Sequence, residues 1–586
     1  MAIARQPSVA EADFKIDRRL LRRFSRLVLP YWLRWQAWPA WAGLIVTVAQ
    51  GALLSYLAVR VSYALKDLTD DLLGRDWVAF QAALVAYVLI CAAQHVVPQL
   101  TTAVGLGVQA NWRLWLTRHI VDQYLSRRTY YAISDDPELD NPDQRIAENV
   151  APFIEQVIGS VQMMVGVVAG ISATFVVLGR LDVRFLFIVP LLGAAQLAAT
   201  YVMSRPLFRR NIASLKAEGN LRYSLVHVRD HVEAIAFYRG EGIERSRILT
   251  ETRVAADMRF RADRYVGAVV TNVEACFTLV WVVLPYFVLG HRVASGELSY
   301  GALVQGISVA VTMRGVIKRL SQILSVIVGL AIQAQRLSPV QERFDALEQE
   351  RALADGAGIR IKPGVDRVVF DNVSLETPDG QQRLVRNLNL VLAPTETLVI
   401  VGQTGVGKSS LLRAMAGLWT RGKGDITMPP ARATLFLPQR PYLTLGDLRS
   451  QLLYPHDRDL PDDALLAILD TVRLPELATT HGGLGSVRDW AQILSPGEQQ
   501  RIAFARVLVS APTLVMLDEA TSGVDAATEA HLYGLLARAG VRYVSVGHRL
   551  AITAHHTHVL TLKPDGGWFF GPIEGSLATA LDVAGA

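Results

Sequence analysis

At 586 residues the chain is too long for one ordinary core, and about 150 residues per domain predicts several units. A hydrophobic fraction of 51 %, a charged fraction of 19 % and a mean hydropathy of +0.27 exclude an ordinary soluble composition and predict lipid-facing segments. The net charge of +6 comes mostly from arginine clusters in the first 265 residues, set between apolar stretches, which argues for membrane orientation and against a nucleic-acid partner.

Sulfur chemistry is confined to Cys91 and Cys276. Both fall inside apolar stretches and read as small core residues, neither a disulfide nor a metal pair.

The first 30 residues set Arg18, Arg19, Arg22, Arg23 and Arg26 among Leu20, Leu21, Phe24 and Leu27. This predicts a basic amphipathic helix lying at a membrane surface; no short apolar run followed by small residues marks a cleavable signal. Apolar runs long enough to span a bilayer follow at roughly 37–63, 78–108, 157–179, 184–204, 266–289 and 301–330, giving an α-helical domain of six spans over 31–350. The N-terminus and the connections 111–150 and 205–265 are rich in arginine, whereas the loops near 66–76, 180–184 and 290–300 carry few cations. Lysine and arginine accumulate on the cytoplasmic side, so both termini are expected there. The long basic connections have helical spacing, which predicts that the spans continue well beyond the bilayer.

Leu337 to Glu350 reads as a last polar helix, and 351–366 as a linker. From 367 to 586, short β-rich runs such as RVVFDNVSL and TLVIVG alternate with helical stretches such as SSLLRAMAGL, the rhythm of an α/β domain.

Phosphate chemistry is concentrated in that second domain. Gly402-Gln403-Thr404-Gly405-Val406-Gly407-Lys408-Ser409, followed by Ser410, comes after the strand TLVIV and opens a helix, the context a P-loop requires. Its glycines let backbone N–H groups wrap a β-phosphate, Lys408 brings charge to the β and γ oxygens, and Ser409 offers a hydroxyl to Mg²⁺. The strand TLVML ends in Asp518-Glu519: one carboxylate suits the Mg²⁺ shell, the other an attacking water. The strand VRYVSVG delivers His548 toward a γ-phosphate. LSPGEQQR at 494–501 starts another helix, where Gly497 is expected to free the backbone and unpaired N–H groups make an anion seat.

In this order the motifs resemble the ATP-binding cassette of ABC transporters. The resemblance implies that Gln439 in FLPQRPYL is the Q-loop residue, joining the metal shell and the catalytic water to the membrane domain, and that Ser522-Gly523-Val524-Asp525 is the D-loop. It implies too that Ser495, Gly497 and Glu498 belong to a signature motif facing the γ-phosphate of ATP held by a second subunit, so that one chain cannot close a site on itself and a homodimer is expected. Two positions depart from the family. Pro496 replaces the usual glycine, which a first helical turn accommodates. Thr377, in VSLETPDG, stands where an aromatic residue usually stacks on adenine.

Finer resemblances lie in DNPDQRIAENV and EAIAFYRGE of the basic connections, and in QRPYLTLGDLRSQLLYP and RDWAQILSPGEQQR of the cassette. They are similar to bacterial BacA-like transporters with a fused ATPase and, more distantly, to the peroxisomal fatty-acyl (subfamily D) half-transporters. Asn141, Pro142, Asp143 and Gln144 are the candidates for one coupling helix, and Tyr238, Arg239, Gly240 and Glu241 for the other.

Polar groups inside spans mark wet surfaces. Glu274, with Asn272 beside it, and Gln94, His95 and Gln99 are candidates for a cavity wall. Arg314, Lys318 and Arg319 are read as sharing one helix face, either lining a basic chamber or snorkelling to the interface. The resemblance implies ATP-driven uptake of hydrophilic or amphipathic solutes such as peptides or cobalamin-like compounds. Export of a lipid or acyl-CoA and an ATP-gated channel or sensor are the alternatives. The arginine-rich composition fits a bacterial inner membrane.

Overall fold

The computed structural model describes residues 18–134, 136, 139, 142–353, 358–364, 367–378, 380–456, 458–547 and 550–573. The chain divides into two compact units, Met1–Leu347 and Glu348–Ala586.

The first unit is helical. Helix α1 (Arg18–Trp32) is followed by α2 (Trp38–Leu73), α3 (Trp77–Leu125), α4 (Pro142–Leu181), α5 (Phe185–Asp230), the short α6 (Val232–Tyr238), α7 (Glu241–Tyr265), α8 (Thr271–Ala294) and α9 (Tyr300–Leu353). Among the described residues six helical stretches are long and apolar enough to cross a membrane: Trp35–Leu73, Trp77–Ala132, Pro142–Leu181, Phe185–Asp230, Glu241–Ala294 and Tyr300–Ile323. Several run far past the roughly 20 residues a bilayer needs.

Local chemistry sets the ends of these helices. Asp76 caps α3 by accepting from Ala79 N at 3.0 Å. Asp70, near the end of α2, accepts from Ser299 Oγ at 2.6 Å and from Gly301 N at 2.8 Å, so it satisfies the start of α9 from across the bundle. Between α7 and α8 one π-helical turn, Val266–Val270, lies just before Glu274.

Two apolar clusters hold the bundle. One joins Leu27 and Tyr31 of α1 to Trp112, Phe153, Leu337 and Phe344, with the Tyr31 and Trp112 rings stacked at 5.2 Å. Burying each of these large side chains contributes about 1.5–3 kcal/mol. The other cluster joins Phe185, Trp281, Leu289 and Met313, where Trp281 Nε1 donates to the buried Gln196 Oε1 at 2.8 Å. Leu89, Val96, Val168, Leu191 and Phe287 instead stay exposed, as lipid-facing side chains do.

The described residues of the second unit carry two large sheets and a small two-stranded one that pairs Gly446–Asp447 with Val487–Arg488. Strands β1 (Ile359–Pro363), β2 (Val368–Glu376), β3 (Arg383–Leu392) and β5 (Gly422–Met428) form one in the order β1-β5-β2-β3. The other contains β4 (Leu398–Val401), β6 (Thr434–Leu437), β7 (Leu514–Asp518), β8 (Arg542–Val546), β9 (His558–Leu562) and β10 (Trp568–Pro572), in the order β10-β9-β4-β8-β7-β6. All its pairings are parallel except β9 with β10. Its helices include α10 (Lys408–Met415), α11 (Leu448–Leu453), α12 (Asp462–Thr471), α13 (Pro496–Ser510) and α14 (Ala526–Arg538). Strands β4, β7 and β8 are almost wholly buried, which explains the near-continuous apolar runs LVIV of β4 and LVML of β7.

Three expectations need correction. The stretch 351–366 is not only a linker: Ile359–Pro363 pairs with Gly424–Met428, and Arg360 and Lys362 both bond Asp425, at 2.6 and 2.7 Å. Alternating charges at 360 and 362 put both cations on one face of a strand, a period-2 pattern that reads in sequence as a polar connection. Cys276 is exposed, not a core residue, because it faces outward from α8; Cys91 is half-buried. Finally, residues 314, 318 and 319 do not share one direction. Arg314 and Lys318 meet α8, whereas Arg319 lies against Gly166 of α4, the 100° rotation of one residue having carried it to another neighbour.

Candidate functional site

The P-loop runs from the end of β4 into α10. Gly402, Gly405 and Gly407 have φ of 147°, 88° and 99°. At Gly405 no atom lies within 4 Å of where a Cβ would stand, so its left-handed backbone alone requires glycine. Gln403, Thr404 and Gly405 are exposed, Val406 is buried, and Ser409 and Ser410 are half-buried. No side chain caps α10, which leaves its first N–H groups pointing into the loop as donors for an anion. Lys408 is buried, and its Nζ donates to the carbonyl oxygens of Gly402 and Gln403 at 2.7 and 2.8 Å. Burial lowers its pKa, against the pull of the Glu519 and Asp518 carboxylates. A phosphate above the loop adds opposite charge close to that ammonium.

The sheet register assembles the remaining groups. Leu437 pairs with Leu517 and Val546 with Asp518, so the ends of β6, β7 and β8 are level. Gln439 and Glu519 each stand two residues beyond the paired leucines, and Gln439 Nε2 donates to Glu519 Oε2 at 2.9 Å. Ser409 Oγ donates to Asp518 Oδ1 at 3.0 Å. Burial raises the Asp518 pKa, with the Ser409 hydrogen bond opposing and the neighbouring Glu519 carboxylate adding. Glu519 adopts φ of 48°, a left-handed backbone rare for a residue with a side chain and concentrated at functional turns. His548 and Asn141 lie outside the described residues.

The signature segment begins at Ser495, which caps α13. Ser495 N and Oγ donate to Glu498 Oε2 at 2.9 and 2.7 Å, and Glu498 N returns a bond to Ser495 Oγ at 3.4 Å. The hydroxyl and backbone bonds from Ser495 hold the Glu498 carboxylate below its ordinary pKa against the opposing effect of burial, the largest single influence. Pro496 occupies the first helical position without disturbing the cap. The reason for Gly497 differs from the expected one. Its φ is not left-handed; an added Cβ would come within 2.7 Å of the Gly523 carbonyl, so glycine is needed for space beneath the D-loop. Asp525 caps α14, its two oxygens accepting from Thr528 N at 2.9 Å and Thr528 Oγ1 at 2.7 Å. These bonds lower the Asp525 pKa. Thr377 closes the turn after β2 with Gln382, its N–H donating at 2.9 Å to the Gln382 carbonyl, and supplies no ring for adenine.

Sequence reasoning missed Gln500. It is buried on α13; its Nε2 donates to Gln439 O at 3.4 Å and Ser522 Oγ at 3.2 Å, and its Oε1 accepts from Gly523 N at 2.8 Å. One amide thus ties the Q-loop, the D-loop and the signature helix together. Its place in QQR on a helix face gave the only signal.

In the membrane unit, Lys318 Nζ pairs with Glu274 Oε2 at 2.8 Å and Arg314 Nη1 donates to Thr278 Oγ1 at 2.6 Å. Both partners are spaced by four, so α8 and α9 meet in a polar ladder of two rungs. His95 and Asn272 instead bond carbonyls of their own helices, at Cys91 and Ala268. Around the candidate coupling turns, Pro142 and Asp143 open α4, and Gln144 Nε2 donates to Glu148 Oε2 at 2.9 Å. No residue of α6 is buried; Phe237 and Tyr238 are 84 % and 87 % exposed, and Arg239 turns the chain with φ of 53° into Gly240 and Glu241.

Comparison with known proteins agrees with this arrangement. Residues 27–293 match the family described as ABC transporter transmembrane region 2, and residues 385–522 match ABC transporter. An uncharacterised ABC transporter ATP-binding protein of Synechocystis sp. is 35 % identical over 554 residues, covering 92 % of this chain and 82 % of that protein. The chain belongs to the ABC transporter family. It is also similar to ABC transporter D family member 2, chloroplastic, of Arabidopsis thaliana, at 29 % identity over 95 % of this chain and 88 % of that one. The lysosomal cobalamin transporter ABCD4 of Homo sapiens is 26 % identical over 97 % of this chain and 99 % of its own length. This ABC transporter joins six apolar helices to a cassette that binds ATP and couples its hydrolysis to movement of a substrate across a membrane.

Proposed function

We propose that this ABC transporter is a half-transporter of the BacA-like group, working as a homodimer with two composite ATP sites in a bacterial inner membrane, both termini cytoplasmic. The reading rests on one observation above all. Lys408, Ser409, Asp518, Glu519 and Gln439 gather in one place, while Ser495 and Glu498 bond each other and, among the described residues, nothing in the P-loop. A second copy supplies the missing signature.

Within each site Lys408 and the P-loop N–H groups hold the β and γ phosphates, and Glu519 orients the attacking water and accepts its proton. Ser409, Asp518 and Gln439 present the oxygen donors that Mg²⁺ prefers, and the ion would neutralise phosphate charge there. His548 follows β8 by two residues and is assigned to the γ-phosphate. Closure of the two cassettes is transmitted through Asn141–Gln144 and Tyr238–Glu241. The exposed Phe237 and Tyr238 suit the second of these to docking.

For cargo, the ladder of Glu274, Thr278, Arg314 and Lys318 favours a hydrophilic or amphipathic solute, such as a peptide or cobalamin-like compound, over a lipid or acyl-CoA. The cobalamin transporter among its relatives supports the same class. Proteoliposomes loaded with and without ATP test this reading. Accumulation of labelled cobalamin or peptide that requires hydrolysis is expected, and is abolished by Glu519→Gln. Downhill flux with ATP bound and unhydrolysed would identify a channel instead.

A further inference from the structure

We infer that a cavity between α1 and α9 binds a phosphate-bearing ligand, supplied by the headgroup of an anionic phospholipid. The cavity is lined by Arg19, Arg22, Arg23, Arg26 and Glu342 and has a volume of about 220 Å³. That is roughly seven times the share of one liquid water, ample for a phosphate and its first hydration partners.

The site is strongly basic. At 3.6 residues per turn, Arg18, Arg22, Arg26, Arg19 and Arg23 fall within an arc of about 140°, and the buried Leu27 and Tyr31 lie outside it, next to its Arg23 edge. Arg18 with Arg22, Arg19 with Arg23, and Arg22 with Arg26 are like charges four apart, a spacing that destabilises a helix unless anions intervene. Two carboxylates of α9 do so. Glu342 holds Arg23 through both oxygens, at 2.8 and 2.9 Å, and Asp345 stands 3.8 Å from Arg26. Among the described residues Arg19 and Arg22 have no carboxylate partner, and the four guanidiniums lining the cavity exceed the two described carboxylates beside them by about two positive charges. Forked N–H donors from several arginines match the oxygens of a phosphate.

The position of α1 argues for a lipid source. On the same helix and the turn after it, Leu21, Leu29, Leu33 and Trp35 are exposed at 61, 47, 76 and 93 %, and Trp38 and Trp41 follow at the start of the first apolar helix. Exposed leucines beside an arginine stripe, with tryptophans next in the chain, are the signature of a helix at the level of the headgroups.

The full-length protein in phosphatidylcholine nanodiscs doped with phosphatidylglycerol tests the inference, read by native mass spectrometry. Wild type is expected to retain phosphatidylglycerol, and Arg19→Gln/Arg22→Gln about tenfold less, with the Arg23–Glu342 pair left intact. Arg19→Lys/Arg22→Lys is expected to lose most of the retention, because lysine keeps the charge without the fork. Melting temperature and ATP hydrolysis near wild type establish that the variants are folded, and the single Arg22→Gln change serves if the pair is not. A second arm titrates inorganic phosphate into lipid-free protein. Binding there that falls in the glutamine variant, without retained phosphatidylglycerol, keeps the phosphate site but rejects its lipid source. Equal retention by wild type and lysine variant reduces the effect to diffuse surface charge and overturns the site, as does equal behaviour of all forms in both arms.

Discussion

The nucleotide site and the proposed cargo path are built in different ways within one chain. In the cassette, Lys408 and Ser409 stand at the start of α10, and Gln439, Asp518 and Glu519 stand at or just beyond level strand ends. In the membrane unit the ladder joins Glu274 to Lys318, 44 residues away, across two long helices. The first arrangement is fixed by short contiguous motifs and backbone conformation. The second depends on how two helices are rotated against each other. Chemistry common to every turnover is thereby kept in rigid turns, while the contacts proposed to choose a cargo sit on exchangeable helix faces.

The largest effects should fall on the cassette. Glu519→Gln should lower ATP hydrolysis by about 10²–10⁴-fold while leaving ATP binding intact, since it removes a general base and keeps the hydrogen bond partner of Gln439. Phosphate release and nucleotide retention measure the two halves of that claim, and ordinary turnover would remove Glu519 from its role. Next in size, Ser495→Ala should reduce hydrolysis by about 10-fold or more. Mixing it with Lys408→Ala subunits should restore part of the activity if the sites form between copies, because a mixed dimer holds one intact site; no recovery from mixed dimers argues for a site within one chain.

A third effect is on stability. His556 is buried, its Nδ1 2.8 Å from Ile552 O and its Nε2 2.8 Å from Ser545 Oγ, and burial lowers its pKa to about 4. The folded pKa lies below the unfolded value of 6.5, so the neutral ring's contribution is complete above about pH 6.5 and is lost as the pH falls toward 4. That window corresponds to on the order of 3 kcal/mol. Thermal melting of the full protein should show the slope, and His556→Gln should flatten it. Gln500→Leu should cost about 1–3 kcal/mol by leaving the Gly523 N–H unpaired, and should slow hydrolysis through a displaced D-loop. The smallest effect on the engine should come from Lys318→Gln, which should keep basal hydrolysis within about twofold while changing the cargo's apparent affinity; a matching loss of basal hydrolysis would erase the division between the two regions.

Much is legible in the sequence. The P-loop announces itself because Gly405 needs a left-handed backbone and Lys408 must begin a helix, and both demands are written in adjacent residues. The six apolar stretches are equally plain, since only long runs of apolar side chains satisfy a bilayer. Strand β1 escaped because Arg360 and Lys362 look like a solvated connection until Asp425 is placed beside them. At Gly497 the sequence points to backbone freedom, and only the D-loop carbonyl lying over it shows that the constraint is space.

The sequence by itself determined the ATPase chemistry, the membrane class and the order of the two regions, because each follows from local patterns of residue type and spacing. Only the tertiary structure decided that Lys318 meets Glu274, that Arg319 turns to α4, that Gln500 joins three loops, and that Arg19 and Arg22 have no carboxylate partner among the described residues. Those outcomes depend on helix rotation and strand register, which arise from packing of the whole apolar interior and leave no trace in any short stretch of the chain.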